Sequence, residues 1–185
     1  MAEPSDSARQ LAVWADGVLE RVDAQEDLDR RLSAALGRTP DLGEETLARM
    51  AEAVRAAACG LGPAGCALAA GVSERLLTGW EEREPAFAAA MSAARRLGRT
   101  RAHLVRGAPP ALTPYTLRVL LKGVREGVPN ASVAALVGLS VRALYRVRRE
   151  RPEVAALLLA ARRARPRKGE RRYRLVRVGD GPPEK

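Results

Sequence analysis

Apolar positions recur along this chain at the three- and four-residue spacing of helices, and the periodic runs break at corners built from glycine, proline and serine. The first run, residues 7–36, sets Leu11, Trp14, Val18, Val22, Leu28, Leu32 and Leu36 near helical spacing among many charges. It predicts a helix, or a helical hairpin broken around Asp23–Asp27, whose stripe is buried on the module that follows or on another subunit, with Trp14 in the packed face.

Beyond residue 45 the pattern occurs twice. A shift of 67 residues aligns "GLGPAGCALAAGVSERLLTGWEEREPAFAAAMSAARR" with "GVPNASVAALVGLSVRALYRVRRERPEVAALLLAARR" without a gap. Gly60 falls on Gly127, Ala67 on Ala134, Gly71 on Gly138, Ser73 on Ser140, Leu77 on Leu144 and Pro85 on Pro152. These are positions with mechanical roles, so a duplicated helical module is expected.

Each copy reads as four helices. The first carries Met50, Val54 and Ala57 in one copy and Leu117, Leu120, Leu121 and Val124 in the other. Thr113 is placed to cap the second of these, with Pro114 at the first helical position. Both stop near a glycine, Gly60 or Gly127, which tolerates the left-handed conformation of a helix end. Short second helices follow, roughly Pro63–Ala70 and Ala131–Val137, with Asn130 as a cap for the latter. The corners are Gly71-Val72-Ser73 and Gly138-Leu139-Ser140. There glycine takes the unusual backbone angle, Val72 or Leu139 plugs the core, and Ser73 or Ser140 caps the third helix. Ala67 and Ala134, four residues before the corner, let the two helices approach. The third helices turn Leu77 and Trp80, or Leu144 and Val147, inward, which leaves the opposite face for a ligand. Pro85 or Pro152 opens the fourth.

At these residues the sequence resembles the homeodomain-like helix-turn-helix of phage terminase small subunits and related mobile-element DNA-binding proteins. The resemblance rests on "ALAAGVSERLLTGWEEREPAFAAAMSAARR" and "AALVGLSVRALYRVRRERPEVAALLLAARR" and covers about residues 46–98 and 113–165. It implies an all-α fold of two tandem helix-turn-helix modules, and a protein that recognises DNA and oligomerises. Terminase small subunits of this kind typically have one such module, so the tandem pair is a departure from the family pattern.

Five segments follow: an acidic amphipathic helical segment (1–45), a first module (46–98), a linker with Gly-Ala-Pro-Pro (99–112), a second, basic module (113–165) and a basic, largely flexible tail (166–185). Composition supports the helical reading, because only 3% of the residues are aromatic while alanine and leucine abound. The length allows one ordinary core or two small ones, and two small units are expected.

Charge changes the picture more. The chain carries a net +10, but residues 1–45 hold 11 acidic and 5 basic side chains, a net −6, whereas residues 99–185 hold 6 and 21, a net +15. A polyanionic partner is expected at the C-terminal half. The two third helices divide the same way: Ser140–Arg151 carries +4 and Ser73–Glu84 carries −2. The second copy is therefore expected to be the main reader of double-stranded DNA. Arg142 and Arg146, one turn apart, are candidates for bidentate contact to guanine, and Tyr145 for a base edge or a phosphate. Ser140, Arg148, Arg149, Arg162, Arg163, Arg165, Arg167, Lys168, Arg171 and Arg172 are candidates for phosphates, which position without specifying. Secondary candidates in the first copy are Ser73, Glu74, Arg75 and Thr78, with Glu74 able to accept from a cytosine amino group. The first copy is expected to serve mainly protein contact.

From Arg162 to Val178, "RRARPRKGERRYRLVRV" has nine basic residues and one acidic. Its Arg165–Arg172 part reads as a flexible arm for phosphates or a minor groove, and the alternating "RYRLVRV" is compatible with a short strand. The consecutive Leu157, Leu158 and Leu159 suggest a self-association face, and a homo-oligomer is expected. The acidic first segment offers a protein-contact surface and a mask for the basic half.

No run of about 18 apolar residues suggests a membrane span, and the start "MAEPSDSAR" lacks the features of a signal peptide, so a cytoplasmic protein is expected. Cys59 and Cys66 lack zinc spacing and read as reduced, packed cysteines. The single histidine, His103, has no catalytic partner in the pattern. No metal, cofactor or nucleophile motif is present, so an enzyme is not expected. A transcriptional or replication-site regulator is the alternative reading, with a recombinase or transposase accessory, or a general nucleic-acid-binding protein, behind it.

Overall fold

The computed structural model describes residues 6–35, 42–104 and 112–166. The described residues form helices α1 (Asp6–Ala35), α2 (Leu42–Ala58), α3 (Pro63–Ala70), α4 (Glu74–Arg83), α5 (Pro85–Leu104), α6 (Pro114–Arg125), α7 (Asn130–Leu136), α8 (Val141–Glu150) and α9 (Pro152–Arg163). No strand occurs among them, so the protein is all-α as its composition suggests. Prolines open α3, α5, α6 and α9, where their missing amide would be unpaired in any case. Ser73 Oγ accepts from the Leu76 amide at 3.2 Å and Ser140 Oγ from the Ala143 amide at 3.1 Å. Thr113 and Thr116 cap α6 reciprocally, each side chain serving the other's backbone. Asn130 is not a cap: the Val133 amide already bonds to Pro129 O at 2.9 Å, so α7 starts one residue earlier.

The helices α2–α5 and α6–α9 pack by one scheme. In each set the first helix touches the second and fourth, the second touches the third, and the third touches the fourth. The corners agree bond for bond. Val72 N donates to Ala67 O at 3.0 Å and Leu139 N to Ala134 O at 2.8 Å, while Gly71 and Gly138 sit at φ 68° and 73°.

The two sets do not keep separate cores. One continuous cluster of buried residues runs from Ala53 and Leu77 through Leu120 and Val133 to Leu158. The expectation of two small units thus gives way to a shared core, because α3 packs directly on α6. α3 also approaches the end of α7: a Cβ on Gly65 would lie 2.5 Å from Leu136 O, so this approach depends on glycine. Lys122 Nζ donates to Ala69 O at 2.9 Å, and Tyr115 Oη donates to Glu52 at 2.8 Å with the Arg55 guanidinium over its ring.

α1 is one unbroken helix, not a hairpin, and it lies on α9 of the second set, not on the first set. Its buried residues are Ala15 and Leu19, with Leu11 and Val18 partly covered, whereas Trp14 is 42% exposed and Leu28 and Leu32 are also open. Two ion pairs accompany this apolar contact, Asp16 with Arg163 and Asp23 with Arg125, an acidic helix on a basic set. Contacts with α1, α6 and α8 also account for Leu157 and Leu158, which are both buried, while Leu159 faces outward. α5 continues through residues 99–104, which were expected to belong to a linker; the Gly-Ala-Pro-Pro stretch begins only at Gly107, and 105–111 lie outside the described residues.

Candidate nucleic-acid interface

The geometry of α8 is set by the corner before it. Gly138 supplies the left-handed turn, Leu139 is buried as the plug, and the Ser140 hydroxyl fixes the first turn while keeping its own proton to donate. Leu144 then points into the core and Val147 is half-buried. Spacing of three and four residues places Arg142, Tyr145, Arg146 and Arg149 on the opposite face, and all four are exposed. Tyr145 is 57% exposed. An aromatic ring thus stands between cationic forks on one open ridge.

Arg148 differs from its neighbours. Its guanidinium carbon lies 5.8 Å from the Tyr145 ring centroid, and its Nε is buried with no hydrogen-bond partner. The 67-residue register shows why: Arg148 stands where the first set has Glu81, and Arg162 stands where it has Arg95. Glu81 and Arg95 form a two-pronged ion pair at 2.6 and 2.8 Å that ties α4 to α5, and this bond holds the Arg95 proton more tightly than usual. In the second set both partners are arginines, so no carboxylate of the chain stands at the place of Glu81. That pairing was readable from the repeat, although neither Glu81 nor Arg95 is a candidate by local pattern.

The other phosphate candidates divide. Arg162 is exposed at the end of α9. Arg163 is engaged by Asp16 at 2.9 and 3.1 Å. Arg165 turns inward, with Nε donating to Val124 O at 2.7 Å, so it fastens the end of the chain to α6. Arg167, Lys168, Arg171 and Arg172 lie outside the described residues.

α4 presents a different surface. Ser73 is a cap, and Glu74, Arg75 and Thr78 are exposed. Arg83 Nε donates to Gly79 O at 2.9 Å and folds over the bare glycine, beside a shallow hollow of about 600 Å³. Only Arg75 matches the basic ridge of α8, at the place of Arg142.

Among the described residues no group of three or more His, Cys, Asp or Glu side chains could hold a metal ion, and no helix is long and apolar enough to cross a membrane. Searches of protein-family models, of curated proteins and of solved structures found no match to this chain.

Proposed function

We propose that this chain is a non-enzymatic, sequence-selective double-stranded DNA-binding protein of phage or mobile-element type, built from two tandem helix-turn-helix modules and acting as a homo-oligomer. The observation that carries the reading is the exposed ridge Arg142–Tyr145–Arg146–Arg149, held on α8 behind a glycine corner and a serine cap. A helix of this kind enters the major groove by its N-terminal residues. Arg142 and Arg146 read guanine O6 and N7 there, Tyr145 lies against a base edge or a phosphate, and Arg149, Arg148 and Arg162 hold the backbone. α4, short of cations, makes a weaker second contact or serves protein partners. The resemblance to terminase small subunits belongs to this reading and makes DNA recognition for packaging its specific form.

The test is selection of bound sequences from a random duplex pool at near-physiological salt, with the wild type beside Arg142→Ala/Arg146→Ala. The expected result is a defined motif that the double variant loses. Each lost bidentate contact costs about 1–3 kcal/mol, roughly fivefold to 150-fold in affinity. Arg149→Ala is expected to weaken all sequences alike and to lower the salt dependence by about one phosphate. If no motif emerges and binding of the double variant is unchanged, the ridge does not read DNA and the proposal fails.

A further inference from the structure

A second concavity lies away from α8. It is a groove of about 1200 Å³ between the start of α2, the α3–α4 corner and the edge of the second set at Val128 and Leu136. Its floor is apolar, with Leu47, Leu68, Val72 and Leu76, and Leu47 is 66% exposed. Its rim is acidic, with Glu74, Glu84 and Glu126, and Glu45 is held by Arg49 at 3.7 Å. Neither Glu74 nor Glu84 has an ion pair among the described residues. Burial raises the affinity of Glu126 for its proton, and Lys122 opposes this. An apolar floor under an acidic rim fits a segment that combines apolar side chains with arginine, and it repels phosphate.

We infer that the groove seats the chain's own C-terminal segment around Arg171–Val178. Three observations single out this occupant. The described chain ends at Pro166, which lies with Glu126 on one side of α6, and Glu126 also forms the near rim of the groove. Arg165 anchors that exit by its bond to Val124 O. From Pro166, which lines one hollow with Glu126, the six residues 167–172 span at most about 20 Å when extended, and Glu126 itself lines the groove. The sequence "RRYRLVRV" then supplies Tyr173 and Leu175 for the floor, and Arg172, Arg174 and Arg177 for the carboxylates. A segment seated in this way is withheld from any polyanion, so the groove sets when the basic tail is available. The docking itself does not rest on DNA reading by α8.

Disulfide trapping in the full-length chain, without DNA, tests the seat. Leu76→Cys is paired with Leu175→Cys, and separately Leu47→Cys with Tyr173→Cys; each single-cysteine variant controls for capture by Cys59. The expected result is a cross-link within one chain whose yield is independent of protein concentration and falls at least fivefold when Glu74→Lys/Glu84→Lys is added. The absence of a cross-link in both pairs would overturn the inference. So would a link formed only between chains, which assigns the groove to a second copy. Because the readout contains no nucleic acid, failure here leaves the proposed function standing, and the reverse also holds.

Discussion

Arg148 shows how one residue changes the meaning of a position. Its counterpart Glu81 closes the first set by gripping Arg95, whereas Arg148 has a buried, unpartnered Nε and a like-charged neighbour in the register, Arg162. Arg148→Glu is therefore expected to set a carboxylate against Arg162 and raise stability by up to about 1 kcal/mol, as a partly exposed pair does. The same change should lower DNA affinity. Thermal unfolding and fluorescence anisotropy check the two halves of this expectation, and a fall in both stability and affinity would contradict it. The interior groups set a limit at high pH. Burial pushes the Cys66 thiol up to about 11 from 9.0, and burial together with the bond to Glu52 raises the Tyr115 hydroxyl as well. In each case the unfolded chain releases its proton first, so rising pH favours unfolding. Stability should fall between pH 9 and about 11 in urea titrations, and Cys66→Ala should remove part of that slope. In the native protein a thiol reagent should reach half-buried Cys59 well before Cys66.

At the scale of elements, glycine gives two opposite expectations. Gly138 turns the chain from α7 into α8 at φ 73°, and a Cβ there would meet nothing within 4 Å. Gly138→Ala therefore isolates the cost of the left-handed backbone, about 1–2 kcal/mol. Gly79 lies inside α4, where a Cβ would meet only the flexible end of Arg83 at 3.0 Å, so Gly79→Ala should stabilise by about 0.5–1 kcal/mol. Denaturant midpoints for the pair decide the matter, and equal signs would contradict this account. The corner chemistry was legible because a helix end that needs glycine, a plug and a hydroxyl leaves those residue types at fixed spacing. α1 was legible as a helix but not in its placement. Leu11, Trp14, Leu28 and Leu32 suggest one stripe, while Ala15 and Leu19 are the buried residues, since the helix turns that side to α9 and sets Asp16 and Asp23 against Arg163 and Arg125. Those partners lie more than a hundred residues away, beyond the reach of local periodicity. Arg165 escaped for a similar reason, because nothing in its neighbours announces a bond to Val124 O.

Across the whole molecule, the shared core means that the two sets are expected to unfold together. A single transition, coincident by circular dichroism and by Trp80 fluorescence in a Trp14→Phe background, is the expected outcome. Gly65→Ala should disturb it most, because it drives a methyl group into Leu136 O where α3 meets α7. Two separated transitions in the wild type would show that the contact between the sets is weaker than its packing suggests.

The bond-for-bond agreement of the two corners has a consequence for engineering. Backbone and inward residues keep α4 and α8 in shape, so their outward faces are interchangeable parts. Arg75 already matches Arg142, and Thr78→Tyr, Gly79→Arg and Glu82→Arg would complete the α8 ridge on α4. On the proposed function, these three substitutions, at exposed Thr78 and Glu82 and half-buried Gly79, would give α4 the reading ridge of α8 and leave the buried residues that carry both helices unchanged.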